Sequence, residues 1–157
     1  MLNEAGLSKP FVRAPKLQDC IELSNSMREE DKREIWHYSR VSPLVCLIDG
    51  LTYGEKCWTV EYNGSVIAMF GVTRQDEITG IPWMLASEDL KKIKKSFLRE
   101  CHQYVERMFD GFQVLKNCAW SQNTIHIQWL KWLGFRFFPA QPKGYDGELF
   151  YEFYKVK

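Results

Sequence analysis

Apolar positions along the chain change period several times, and each change marks a predicted element. Phe11-Val12-Arg13-Ala14 alternates until Pro15, which cannot donate to a ladder, so a short first strand is predicted there. Leu17, Cys20, Ile21, Ser24 and Met27 then recur at helical spacing, with Asp19 in the first turn, where a carboxylate favours the helix dipole. The mixed-sign run Arg28-Glu29-Glu30-Asp31-Lys32-Arg33-Glu34 reads as a solvated helix surface or a connection between helices. A second helical piece is predicted over residues 43–51, opened by Pro43 and closing near Asp49-Gly50.

From Lys56 the period becomes two, in 57–62 and again in 65–72, with Asn63-Gly64 between them. Asn-Gly suits a type I′ turn, which needs positive φ at both central positions, so a hairpin is predicted. Residues 80–86 read as a third strand, and Pro82 predicts that its first half is unpaired on one side. Ser87 or Asp89 then caps a long helix whose apolar stripe is Leu90, Ile93, Phe97, Cys101, Tyr104 and Met108. A strand over 112–119, a short helix from Asn123 or Thr124 to Leu133, and extended segments over 135–138 and 148–156 complete the chain. The order is strand, two helices, three strands, helix, strand, helix, two strands, with no repeat or linker. That predicts a mixed α/β arrangement in one domain, 1–157.

Composition changes this picture little. Of 157 residues, 45% are hydrophobic and 26% charged, which excludes a disordered or collagen-like chain. A formal charge of +1 gives no global field for nucleic acid or an anionic membrane. No apolar run approaches the ~20 residues of a membrane span. Residues 1–6 carry an early acid and no apolar core, so no secretory signal is predicted. The five cysteines are widely spaced without a C-x-x-C pair, and the three histidines lack zinc-site spacing, so no metal is expected.

The element order, together with Asn123-Thr-Ile-His126-Ile-Gln-Trp-Leu130-Lys-Trp-Leu133-Gly134-Phe135, resembles the GNAT superfamily of acetyl-CoA-dependent N-acetyltransferases. Pro82-Trp83-Met84-Leu85-Ala86 and the 123–134 segment are most similar to GNAT-like proteins of short-tailed phages, including internal virion proteins. The resemblance implies a GNAT-like, mainly antiparallel sheet flanked by helices. It also implies acetyl-CoA contacts from strand backbone at Met84, Leu85 and Ala86, with Asn123 approaching the pantetheine arm. By residue chemistry alone, Asn123 caps its helix.

Two departures from that family pattern matter. The stretch opening the long helix, Ala86 to Ser96, has no glycine where the family cradles pyrophosphate, and it carries Glu88 and Asp89. Lys91, Lys92, Lys94 and Lys95 read as a compensating phosphate clamp or as a solvated face. Leu130 stands where many members have a tyrosine that protonates the CoA thiolate. His126 remains as an acid or base or as a structural histidine, Tyr145 and Tyr151 are the nearest tyrosines, and Glu61 reads as an exposed strand residue.

The leading expectation is a phage GNAT-fold protein with a degenerate acetyl-CoA site. It would act by binding a protein partner, in the host cytoplasm or packaged as an internal virion or assembly component. The alternatives are an active N-acetyltransferase modifying a host or phage amine, and a host-directed inhibitor anchored by Trp36, Trp129 or Trp132.

Overall fold

The structure is a computed structural model and describes residues 9–157. The signal reading of residues 1–6 lies outside the described residues. Its elements are β1 (Phe11–Arg13), α1 (Leu17–Ser26), α2 (Glu29–Ser39), α3 (Pro43–Tyr53), β2 (Gly54–Tyr62), β3 (Ser65–Arg74) and β4 (Thr79–Ala86). They continue with α4 (Leu90–Met108), β5 (Val114–Trp120), α5 (Thr124–Trp132), β6 (Arg136–Phe137), β7 (Gln141–Pro142) and β8 (Leu149–Val156). The strands form one eight-stranded sheet in the order β1-β2-β3-β4-β5-β8-β6, with β7 also on β8. Among the described residues every strand pairing is antiparallel except β4 with β5.

The predicted hairpin forms as β2 and β3. Asn63 and Gly64 sit at φ 51° and 77°, the left-handed geometry that the turn requires. Two apolar clusters flank the sheet. On one side α4 presents Leu90, Ile93, Phe97, Cys101, Val105 and Met108 to β2, β3 and α5. On the other, α1 and α3 bury Cys20, Leu23 and Leu47 against Val66, Met69 and Leu85. The α1 stripe is rotated from its predicted position. Leu17 and Ile21 are exposed, while Asp19 is 2% exposed. Asp19 accepts from both Arg13 guanidinium nitrogens at 2.8 Å, from Lys16 N–H at 2.9 Å and from the Thr59 hydroxyl at 2.9 Å, so its charge is matched inside.

Arg28 to Glu34 departs most from the sequence reading. Three helices precede the hairpin, not two, and the charged run is a solvated surface on one side only, where Glu29 and Arg33 are exposed. Residues 29–34 open α2, and Arg28 and Asp31 are 5% and 2% exposed. Asp31 and Ile35, four apart, occupy the buried face of α2.

Candidate functional site

The site lies where the one parallel pair comes apart. β4 and β5 are paired at Thr79↔Val114 and Gly80↔Leu115, and beyond these the two strands diverge. Pro82 was expected to leave the first half of β4 unpaired on one side, and the structure reverses this. The first residues of β4 pair with β5, and from Pro82 onward that side is free. Proline brings no N–H to the ladder, and the Asn117 amide donates across the opening to Pro82 O at 2.8 Å.

Diverging strands leave backbone donors and acceptors without a ladder, and these must find partners when buried. Here α2 spans the opening. Ala86 N–H, on β4, donates to Asp31 Oδ2 at 3.0 Å, and Trp120 N–H, on β5, donates to Glu34 Oε1 at 2.6 Å. Asp31 and Glu34 are three apart on one helix, so a single turn of α2 holds both arms of the V. Arg28 N–H donates to Ala86 O at 2.8 Å, and Cys118 N–H donates to the Asn117 side chain at 2.7 Å. Ala86 thus directs both its backbone groups away from β3. By the two-residue alternation of a strand, Met84 directs its N–H and C=O into the same opening.

Below this lies a buried polar triad. Arg28 Nη1 donates to Asp31 Oδ1 at 3.1 Å and Arg28 Nη2 to Asn123 Oδ1 at 3.2 Å. Asn123 Nδ2 donates to Asp31 Oδ1 at 3.0 Å. Asn123 is fully buried, and its side chain does not cap α5; the helix start is served by its backbone O, which accepts from Ile127 N–H at 3.1 Å. Burial pushes the Asp31 carboxyl above its ordinary range, and the adjacent Arg28 guanidinium opposes that shift.

His126 sits beside the triad, with Nδ1 3.5 Å from Glu34 Oε1. Burial alone would lower its pKa, but the Glu34 and Asp31 carboxylates outweigh that and raise it above 6.5. His126 also lines two cavities on opposite sides of β4. One is a cleft of about 320 Å³ walled by α2, α3, β4 and β5. The other, between β4, α4 and α5, is about 60 Å³, enough for a few waters only.

Aromatic side chains fill that second space. Trp58 stacks on Phe70 at 5.1 Å, Phe70 meets Tyr104 at 5.3 Å and Phe97 at 5.9 Å, and Phe97 meets Trp129 edge-on at 5.3 Å. Leu130 is buried against the same cluster. Trp129 is therefore core and no surface anchor, whereas Trp36 and Trp132 are exposed.

The remaining sequence-predicted residues scatter. Met84 and Leu85 line the cleft. Lys91 and Lys92 are exposed and paired to Glu88 at 2.8 Å and Asp89 at 3.2 Å, one turn away, so their charge is met within their own helix start. Tyr145 is 70% exposed on the 143–148 loop, where its N–H donates to His37 O at 3.1 Å, and it is not among the residues lining the cleft. Tyr151 lies on β8 against Phe137. Sequence reasoning missed Arg28, Asp31 and Glu34. The one local signal was that Asp31 falls in phase with the apolar Ile35, and these two are the buried residues of α2.

Comparison with known proteins fits this geometry. Residues 56–140 match the family model described as "Bacteriophage T7, probable scaffold protein Gp13", which is more than half of the chain. The chain belongs to this family. No curated protein matches the sequence. Among solved structures, the Gp13-family chain is similar to a GNAT-family acetyltransferase from Streptococcus pneumoniae, with TM-score 0.64 and 13% identity over 94% of this chain and 99% of that one. It is also similar to spermidine N-acetyltransferase from Vibrio cholerae, solved with CoA and spermine, with TM-score 0.67 and 13% identity over 94% and 95%. A ribosomal-protein-alanine N-acetyltransferase from Brucella melitensis gives TM-score 0.65 and 17% identity over 94% and 99%. The fold is therefore a GNAT fold, mixed α/β with a mainly antiparallel central sheet. Fold alone carries no chemistry.

Proposed function

We propose that this Gp13-family protein is a GNAT-fold binding component of phage assembly, acting as one domain over 1–157, whose acetyl-CoA site is closed by its own side chains. The observation that carries the reading is the occupation of the β4–β5 opening. Asp31 holds Ala86 N–H, and the Arg28–Asp31–Asn123 triad consumes the asparagine that the GNAT resemblance would send to pantetheine. The space between α4 and α5 is filled by Phe97 and Trp129. These residues do not fit the cofactor. At the start of α4, Glu88 and Asp89 add negative charge where a pyrophosphate would need N–H groups and cations.

A protein partner, phage or host, follows from a binding role, and the working place is the host cytoplasm and the assembling particle. The family description supports assembly over the host-inhibitor alternative. Mass spectrometry of purified procapsids and particles tests this: the protein is expected there above its level in unrelated high-mass fractions. Abundant synthesis during infection with none in either assembly would overturn it. Incubation of the purified protein with acetyl-CoA and cell lysate is expected to leave no new acetylated residue.

A further inference from the structure

The outer face of α4 carries cations that its own chain leaves unmatched. Elsewhere Arg13, Arg28, Arg40 and Arg74 each stand against a carboxylate, and at the start of α4 Lys91 and Lys92 are paired to Glu88 and Asp89. Further along the helix, Lys94, Lys95 and Arg99 are exposed and have no carboxylate in ion-pair reach among the described residues. Because Leu90, Ile93, Phe97, Cys101 and Val105 face the core, Lys95, Arg99 and His102 fall on the outward side. Lys95 and Arg99 are four apart, and like charges at that spacing oppose the helix that carries them. A carboxylate set between them turns that repulsion into attraction.

The patch also has an apolar component. Trp132 of α5 is 57% exposed, and among the described residues it is the one large hydrophobic side chain exposed on α4 or α5. Its ring lies 5.9 Å from that of His102, so the cations of α4 and this ring form one surface. Leu98, four residues before His102 on the same face, is half-buried beside it.

The extent of the patch decides the class of partner. Lys95 to His102 covers about 10 Å of helix axis, two turns. Glu88 and Asp89 close one end, and Glu100 and Glu106 are exposed toward the other, so a long polyanion would run onto acids in both directions. A single exposed ring gives no platform for stacking successive bases. A short acidic segment meets neither obstacle, and carboxylates four apart on a helix repeat the Lys95–Arg99 spacing.

We propose that the outer α4–α5 face docks a short, acidic amphipathic helix of a partner polypeptide. Its carboxylates lie on Lys95 and Arg99, and an apolar side chain packs on Trp132 and Leu98. The inference rests on the binding role proposed above and names the chemistry of the partner.

The test uses the full chain and the indole N–H resonance of Trp132, assigned by its loss in Trp132→Phe. Four probes are titrated at low salt: a peptide of about twelve residues repeating Glu-Leu-Ala-Glu, the same peptide with Gln for every Glu, dodecathymidylate, and acetyl-CoA. The Glu peptide is expected to give a saturable shift at roughly tenfold lower concentration than the Gln peptide. Lys95→Gln/Arg99→Gln, both at exposed positions, is expected to remove that difference. No saturable shift with the Glu peptide, an equal response to the Gln peptide, or tighter binding of dodecathymidylate overturns the proposal. Acetyl-CoA separates this inference from the closed-site reading. A saturable acetyl-CoA response with the peptide still bound overturns the closed site alone, and displacement of the peptide by acetyl-CoA overturns both. No acetyl-CoA response leaves the closed site standing whatever the peptide does.

Discussion

Asp31 accepts from Arg28, Asn123 and Ala86 at once, so its substitution is felt at three places. Removing one member of a buried ion pair leaves the other charge uncompensated, and Arg28→Met is expected to cost about 3–5 kcal/mol in urea unfolding. The double variant Arg28→Met/Asp31→Leu is expected to lose less than Arg28→Met alone, because no orphan charge remains. A double loss equal to or larger than the single would mean that the pair itself supplies net stability. His126 carries a pH signature. Its folded pKa is raised above 6.5, so the folded state holds the proton more tightly than the unfolded chain. That stability is fully present below about 6.5 and is lost as pH rises through the folded value. Unfolding free energy measured across this window is expected to fall with rising pH. Glu34→Gln, which keeps an acceptor for Trp120 N–H, should flatten the slope.

At the scale of elements, α2 converts a split sheet into a closed one, and its charged sequence conceals this. Where burial follows periodicity, the sequence was readable: the α4 stripe, the Asn63-Gly64 hairpin and the α3 limits all appear as local patterns. The α2 buried face was not readable, because its inward residues Arg28 and Asp31 are charged and become buried only when partners 55 to 95 positions away arrive. The same reason hides Asn123, which any local rule assigns to a cap. The direction of the β4 unpairing was missed because Pro82 marks the break but not which neighbour lies beyond it. Packing of α3 on β4 is testable through Gly50. Gly50→Ala places a methyl against Trp83 and is expected to destabilise by about 1–3 kcal/mol, with Trp83 fluorescence altered. Gly64, whose position is open, tests turn geometry instead of packing; Gly64→Ala is expected to cost about 1 kcal/mol through its positive φ.

Across the whole molecule, the chain keeps a GNAT fold with its sheet, its crossing helices and its V, and on the closed-site reading proposed above the groups that would face a thioester cofactor are turned to internal use. Lys91 and Lys92 pair with Glu88 and Asp89 at the exposed start of α4, and Lys91→Ala/Lys92→Ala is expected to leave thermal stability within about 1 kcal/mol of the parent. What the sequence showed of the site was a set of departures, no loop glycine and Leu130. It could not show the replacement network, which depends on long-range contacts. Calorimetric titration of the purified protein with acetyl-CoA tests the closed site most directly. The account predicts no saturable heat up to millimolar ligand. Micromolar, one-to-one binding would show that Asp31, Asn123 and the Phe97–Trp129 packing yield to the cofactor, and would contradict it.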